Sequence, residues 1–60
     1  MQTLYQWKLR DEDGYLFCTG MLNGHRWETS DILSLYQEDT HYVIETLNSR
    51  YKLYFASRRY

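Results

Sequence analysis

The chain of 60 residues contains no proline, a single cysteine and only three glycines, none adjacent to another. This composition leaves no flexible linker and no domain boundary, so we expect one small β-domain over residues 1–60. Cys18 has no partner for an intrachain disulfide, which favours a reducing compartment, and we expect a cytoplasmic protein. No signal segment opens the chain, and no apolar run approaches the ~20 residues that a membrane helix requires. We therefore expect no membrane partner.

An excess of charge of one sign is also lacking, because seven basic and eight acidic side chains give a net charge of −1. No global field attracts the protein to nucleic acid or to anionic lipid. Aromatic residues are abundant instead, at 18% of the chain with seven tyrosines. A chain this short has a thin core, so part of this aromatic surface should remain exposed and available for binding.

The C-terminal part of the sequence predicts a β-hairpin. Two alternating runs, residues 42–47 and 50–55, flank Asn48-Ser49, which we interpret as a two-residue turn. This register places Ile44 opposite Leu53 on an inner face and Glu45 opposite Lys52 on an outer face. The hairpin indicates β architecture, and its pattern alone does not indicate a function.

The N-terminal part predicts a second hairpin with two alternative registers. Residues 3–10 alternate like a half-buried strand, and Asp11-Glu12-Asp13-Gly14 follows as a turn. A bulge at Gly14 would set Leu9 opposite Phe17, whereas a tight two-residue turn would set Leu9 opposite Cys18. We favour the bulge, because it gathers more apolar side chains into one layer.

The middle of the chain adds a tight turn at Asn23-Gly24 and a stretch at residues 31–37 that fits a strand or a short helix, of which we favour the strand. The sequence therefore predicts an all-β fold, a five- to six-stranded antiparallel meander that forms a small barrel or a strongly curled sheet. The predicted core comprises Tyr5, Trp7, Leu9, Phe17, Met21, Trp27, Leu33, Leu35, Ile44, Leu53 and Phe55.

Candidates for catalysis or metal binding are few. Cys18, His25 and His41 lack the short paired spacing of metal ligands, and no glycine-rich loop precedes a helix. Cys18 lies in the middle of a predicted strand, where burial would raise the pKa of its thiol and make it inert. We expect no enzyme activity, no catalytic, metal or cofactor site, and no small-molecule substrate.

Protein binding is the function that the sequence favours. Leu16, Cys18 and Leu22 lie on the opposite face of the second strand from Phe17 and Met21, so this strand has two apolar faces. We expect the Leu16, Cys18 and Leu22 face to meet a protein partner or a second copy of the chain.

Nucleic-acid binding is the alternative. Small β-barrels often display aromatic rings flanked by basic residues, on which the bases of RNA or single-stranded DNA stack. The residues that would form such a surface are Lys52, Tyr54, Arg58, Arg59 and Tyr60.

Two segments, residues 27–32 and residues 42–53, carry a resemblance to known proteins. The first contains a Thr-Ser entry to a strand, and the second contains a Thr-x-Asn-Ser-x-Tyr-x-Leu hairpin. This pattern resembles short β-proteins of bacteria, phages and mobile elements, a group that includes anti-CRISPR inhibitors. The resemblance implies an accessory or inhibitor protein that acts by stoichiometric binding, and it implies no site residue.

Overall fold

The computed structural model describes all 60 residues and is all-β, with no α-helix. Four strands form one sheet in the order β1-β7-β6-β5, and three form a second sheet in the order β2-β3-β4. The elements are β1 (Gln2–Thr3), β2 (Tyr5–Glu12), β3 (Tyr15–Leu22), β4 (His25–Glu28), β5 (Ile32–Gln37), β6 (His41–Thr46), β7 (Arg50–Tyr54) and a 3-10 turn (Phe55–Ser57). No helix is long and apolar enough to cross a membrane.

The predicted meander of five to six strands is corrected by this topology. There are seven strands in two sheets, the sheets do not close into a barrel, and β1 pairs with β7 in parallel. The N-terminal run divides at Leu4, which is fully buried where the chain passes from one sheet to the other, and its N–H donates to the Lys52 carbonyl at 3.1 Å. Sequence alternation continues through this corner, so the pattern alone predicts one strand.

The two sheets share one core. Trp7 is fully buried in it, packs edge-on against Tyr42 with ring centroids 5.9 Å apart, and donates its indole N–H to the Tyr54 carbonyl at 2.6 Å. A buried indole stabilises a fold strongly when its N–H has a partner. The buried cluster comprises Leu4, Trp7, Cys18, Leu22, Ile44, Tyr51 and Leu53.

The predicted core is right at its centre and wrong at its margins. Trp7, Ile44 and Leu53 are fully buried as predicted, and Leu9, Phe17 and Met21 are partly buried. The side chains predicted to be buried but found exposed are Tyr5, Trp27, Leu33, Leu35 and Phe55. The buried apolar residues outside the predicted core set are Leu4, Cys18, Leu22, Val43 and Tyr51.

The first hairpin adopts the register that we did not favour. Asp13 and Gly14 both have positive φ, 55° and 82°, as a tight two-residue turn requires. Leu9 is therefore opposite Cys18, and the predicted Gly14 bulge is wrong. Asn23-Gly24 forms the same kind of turn, with φ of 52° and 81°, as predicted.

A bulge does occur in this hairpin, but at the other end of β2. The register shifts between Tyr5 and Lys8, and Gln6 has a φ of 50°. Gly20 on β3 permits this, because a Cβ at Gly20 would lie 2.9 Å from the Tyr5 carbonyl oxygen. The Gln6 N–H donates to Ser57 Oγ at 2.7 Å, so the bulge also attaches the 3-10 turn to β2.

The final hairpin has the predicted faces but not the predicted partners. Ile44 is opposite Tyr51 and Glu45 is opposite Arg50, so the register is two residues away from the one that pairs Glu45 with Lys52. The chain reverses one residue earlier than predicted, across residues 47–48, where the Thr46 N–H donates to the Ser49 carbonyl at 2.9 Å. A type I′ turn at Asn48-Ser49 would need positive φ at both residues, which serine disfavours. A shift of two residues leaves every side chain on its predicted face.

Candidate functional site

The apolar face predicted for protein binding belongs to the core. Cys18 is fully buried and Leu22 nearly so, while Leu16, at the end of the hairpin, is 38% exposed. The tight turn at Asp13-Gly14 is the cause, because it puts Cys18 on the same side of the sheet as Leu9. The prediction that this face meets a partner is corrected accordingly.

Cys18 is held in the neutral thiol form. Burial raises the pKa of the Cys18 thiol from 9.0 to about 12, against a smaller lowering by a backbone hydrogen bond from Lys8. Its own N–H donates to Thr29 Oγ1 at 3.0 Å, inside the fold. The prediction that burial raises this pKa is confirmed. No group of three or more His, Cys, Asp or Glu side chains lies close enough together to hold a metal ion.

The C-terminal residues predicted to bind nucleic acid lie on β7 and in the tail that follows it. Tyr54 on β7 packs against His41, with ring centroids 5.2 Å apart. Arg58 instead lies over the Trp7 indole, 5.6 Å from its centroid, and the Arg59 N–H donates to the Trp7 carbonyl at 2.8 Å. The tail is thus held beside β2 at Trp7, and Arg58 also lies over the Tyr60 ring, 5.1 Å from its centroid. The nucleic-acid surface of Lys52, Tyr54, Arg58, Arg59 and Tyr60 stays a prediction.

Edge strands matter for function because their unpaired N–H and C=O groups can pair with another chain. Three of the four edges here are protected. β1 is only two residues long, and β4 carries an Arg, a His and a Glu among its four residues. The tail bridges the outer edge of β2 at Trp7 through Arg58, and the rest of that strand, residues 8–12, has four charged side chains.

The remaining edge, β5, is interrupted only by a bulge near its start, and we name it the open edge. Its six residues include no charged side chain, and its backbone pairs only with β6. Leu33 is 65% exposed, Leu35 is 39% exposed and Tyr36 is 41% exposed. Leu33 is also the extra residue of a bulge between Ile32 and Ser34, so it stands outside the regular pairing. The open edge therefore offers free backbone groups beside exposed apolar side chains.

Acidic residues flank the open edge at both ends. Asp31 precedes β5, and Glu38 and Asp39 follow it. All three are exposed. The protein has two ion pairs, Arg10 with Glu12 and Arg50 with Glu45, so none of these three acids has a basic side chain within 4.0 Å. A segment that added a strand here would meet apolar side chains in the middle and negative charge at each end.

Sequence reasoning assigned Leu33 and Leu35 to the core and so missed the open edge. Alternation of apolar residues gives the same signal for an edge strand and for a central strand. The acidic residues on both sides of residues 32–37 are visible in the sequence, but they do not distinguish an edge strand from a central strand.

No protein family, curated protein or solved structure matches the chain. The resemblance to short β-proteins of phages and mobile elements stays a prediction.

Proposed function

We propose that the protein is a non-enzymatic protein-interaction module that binds an extended segment of a partner along the open edge. In this mode the main chain of the partner adds a strand to the sheet, and its backbone hydrogen bonds supply affinity. The observation that carries the proposal is the contrast among edges: β5 alone is long, uncharged and uncovered.

The charges around the open edge define the partner. Asp31 at one end, and Glu38 and Asp39 at the other, favour a segment with basic residues at both ends and apolar residues between them. Leu33, exposed at the bulge, would contact the apolar middle of that segment. Affinity then comes from the backbone, and specificity from the flanking charges.

A second copy of the chain fits this edge poorly. Antiparallel pairing of two β5 strands would bring Asp31 of each copy towards Glu38 of the other. Parallel pairing would align each of these acids with its equivalent. Like charges directly opposite each other destabilise strand pairing, so the favoured occupant is a foreign polypeptide.

Stoichiometric binding of this kind agrees with the accessory or inhibitor role that the sequence resemblance implies. A cytoplasmic location forms part of the same proposal, supported by the one cysteine, which is free and buried.

Selection from a displayed library of short random peptides tests the proposal. We expect the wild-type protein to enrich peptides with lysine or arginine at both ends of an apolar, β-branched centre. The variant Leu33→Lys should lose these peptides, because a lysine on an edge strand opposes strand addition and repels the basic ends.

Leu47→Lys is the matched control. Leu47 is 72% exposed, comparable to Leu33, but it lies in the loop between β6 and β7 rather than on the open edge. It should retain the selected peptides. Equal retention by Leu33→Lys, or enrichment of acidic peptides, would contradict the proposal.

A further inference from the structure

A second surface lies on the other sheet, independent of the open edge. The outer face of β2-β3-β4 forms a groove of about 600 Å³, which we name the basic groove. Its lining residues on β2 and β3 include Lys8, Arg10 and Thr19, those on β4 include Arg26 and Glu28, and Arg59 comes from the C-terminal tail. Three separate parts of the fold thus contribute cations to one concave surface.

The charge of the protein is strongly segregated around this groove. Four of the seven basic residues line it, together with the single acidic residue Glu28. The rest of the chain carries three basic and seven acidic side chains. A net charge of −1 therefore conceals a positive groove on an otherwise negative molecule. The electrostatic field at the groove, and not the net charge of the chain, decides which ligand approaches it.

The cations of the groove are available to a ligand. Lys8, Arg26 and Arg59 have no carboxylate within 4.0 Å, and Arg10 meets only Glu12, at 3.8 Å in an exposed pair. Exposed pairs of this length are weak and are easily exchanged for a stronger acceptor. Arginine and lysine N–H groups that lack protein acceptors are suited to phosphate oxygens.

The groove is also fixed in shape. Lys8 pairs with Thr19, and Thr19 with Glu28, in a continuous row across the three strands. Arg59 is fixed at its backbone by the hydrogen bond to Trp7. The cations on β2 and β4 stand two strand spacings apart, about 10 Å, on either side of β3. A ligand would therefore meet a preorganised site and would not have to order a flexible tail.

Aromatic rings share this face of the sheet. Phe17 on β3 is half-buried and pairs with Arg10, and Tyr15 is exposed and pairs with Glu12. Residues two apart on a strand point to the same side, so both rings lie on the side of Thr19 and Met21. Aromatic rings beside a basic groove are the combination on which bases of single strands stack.

We infer that the basic groove binds single-stranded nucleic acid, through its phosphate backbone, with Phe17 and Tyr15 as stacking surfaces. A compact small-molecule ligand fits less well, because only two of the ten lining residues are hydrophobic whereas small-molecule sites are mostly apolar. The inference adds a second ligand class to the proposed function and does not depend on it, since the open edge lies on the other sheet.

Titration of labelled oligothymidylate and oligouridylate at a series of salt concentrations tests the inference. Each phosphate neutralised on a single strand contributes about −0.7 to the slope of log affinity against log salt, so the four cations of the groove give a slope of up to about −2.8. We expect the double variant Arg26→Ala, Arg59→Ala to lose about half of that slope and to bind at least about tenfold more weakly. Glu28→Gln should bind more tightly, since it removes the one negative charge of the groove.

The double variant Arg50→Ala, Lys52→Ala is the matched control. It removes the same charge from outside the groove, so its affinity should stay within about twofold of the wild type. An equal loss of affinity in this control would mean nonspecific attraction and would overturn the inference. The inference would also be overturned if a mononucleotide bound as tightly as the oligomer, or if the protein bound no oligomer at low salt. Circular dichroism of each variant confirms that the fold is intact.

Discussion

The two sheets differ in what they leave open, although they share one core. The three-stranded sheet protects both of its edges, with polar and charged residues on β4 and with the tail along β2, and displays cations on its face. The four-stranded sheet leaves the edge of β5 uncovered and places acids at its ends. A small domain can thus carry two surfaces of opposite charge on a common core, and a near-neutral composition conceals both.

Replacing Trp7 with Ala should have the largest effect, because it removes the part of the core that both sheets share. The loss of a buried tryptophan costs about 3–5 kcal/mol, which is comparable to the whole stability of a small domain. We expect both sheets to unfold together, seen as loss of amide dispersion in an NMR spectrum.

Trp27→Ala is the control for that substitution. Trp27 is exposed, and its indole N–H donates to the Tyr51 hydroxyl at 3.1 Å at the margin of the core. This variant should remain folded. Survival of one sheet in Trp7→Ala would show that the sheets do not depend on a common core.

Gly20→Ala should strain the three-stranded sheet at its bulge. The added Cβ would approach the Tyr5 carbonyl oxygen to 2.9 Å, and backbone at this position cannot move aside without disturbing the pairing of β2. We expect a loss of about 1–3 kcal/mol in the free energy of unfolding, measured in urea. Ser34→Ala on the exposed β5 should change it by less than about 0.5 kcal/mol. Equal stability of the two variants would refute the close approach at Gly20.

Alkaline pH should weaken the shared core through Cys18. The folded thiol has a pKa of about 12 against 9.0 in the unfolded chain, so between these values the unfolded state binds fewer protons. The free energy of unfolding is then unaffected by Cys18 below pH 9 and falls above it by up to about 1.4 kcal/mol per pH unit. The slope of stability against pH should be shallower in Cys18→Ala, because that variant lacks the buried thiol and is otherwise the same chain. Identical slopes would mean that Cys18 is ionised in the folded protein.

The smallest effects on stability should accompany the largest effects on binding. Leu33→Lys and the double variant Arg26→Ala, Arg59→Ala alter exposed side chains, so each should change the free energy of unfolding by less than about 0.5 kcal/mol per substitution. We expect Leu33→Lys to lose peptide binding and keep oligonucleotide binding. The double variant should keep peptide binding and lose oligonucleotide binding. Loss of both ligands in either variant would mean that the two sheets do not carry separate sites.

Features determined by neighbouring residues were predictable from the sequence. The Asn23-Gly24 turn, the strand at residues 32–37 and the burial of Ile44 and Leu53 all follow from local turn chemistry and alternation. The register of the last hairpin did not follow, because the Thr46 hydroxyl and backbone N–H both donate to the Ser49 carbonyl and move the turn one residue towards the N-terminus.

Features that depend on distant residues were not predictable. The corner at Leu4 requires the Lys52 carbonyl, and the bulge at Gln6 requires both Gly20 and the Ser57 hydroxyl. The open edge also combines a feature determined by neighbouring residues with one determined by distant residues. Its acidic flanks are visible in the sequence, but the open status of β5 depends on the order of strands in the sheet, which alternation does not encode.

Amide hydrogen exchange, followed by NMR with a library-selected peptide bound, tests the central claim most directly. Strand addition predicts slowed exchange at those amides of residues 32–37 that do not pair with β6, with little change in β4. Unchanged exchange along β5, or protection that appears instead along β4 or the C-terminal tail, would contradict the assignment of the open edge as the binding site.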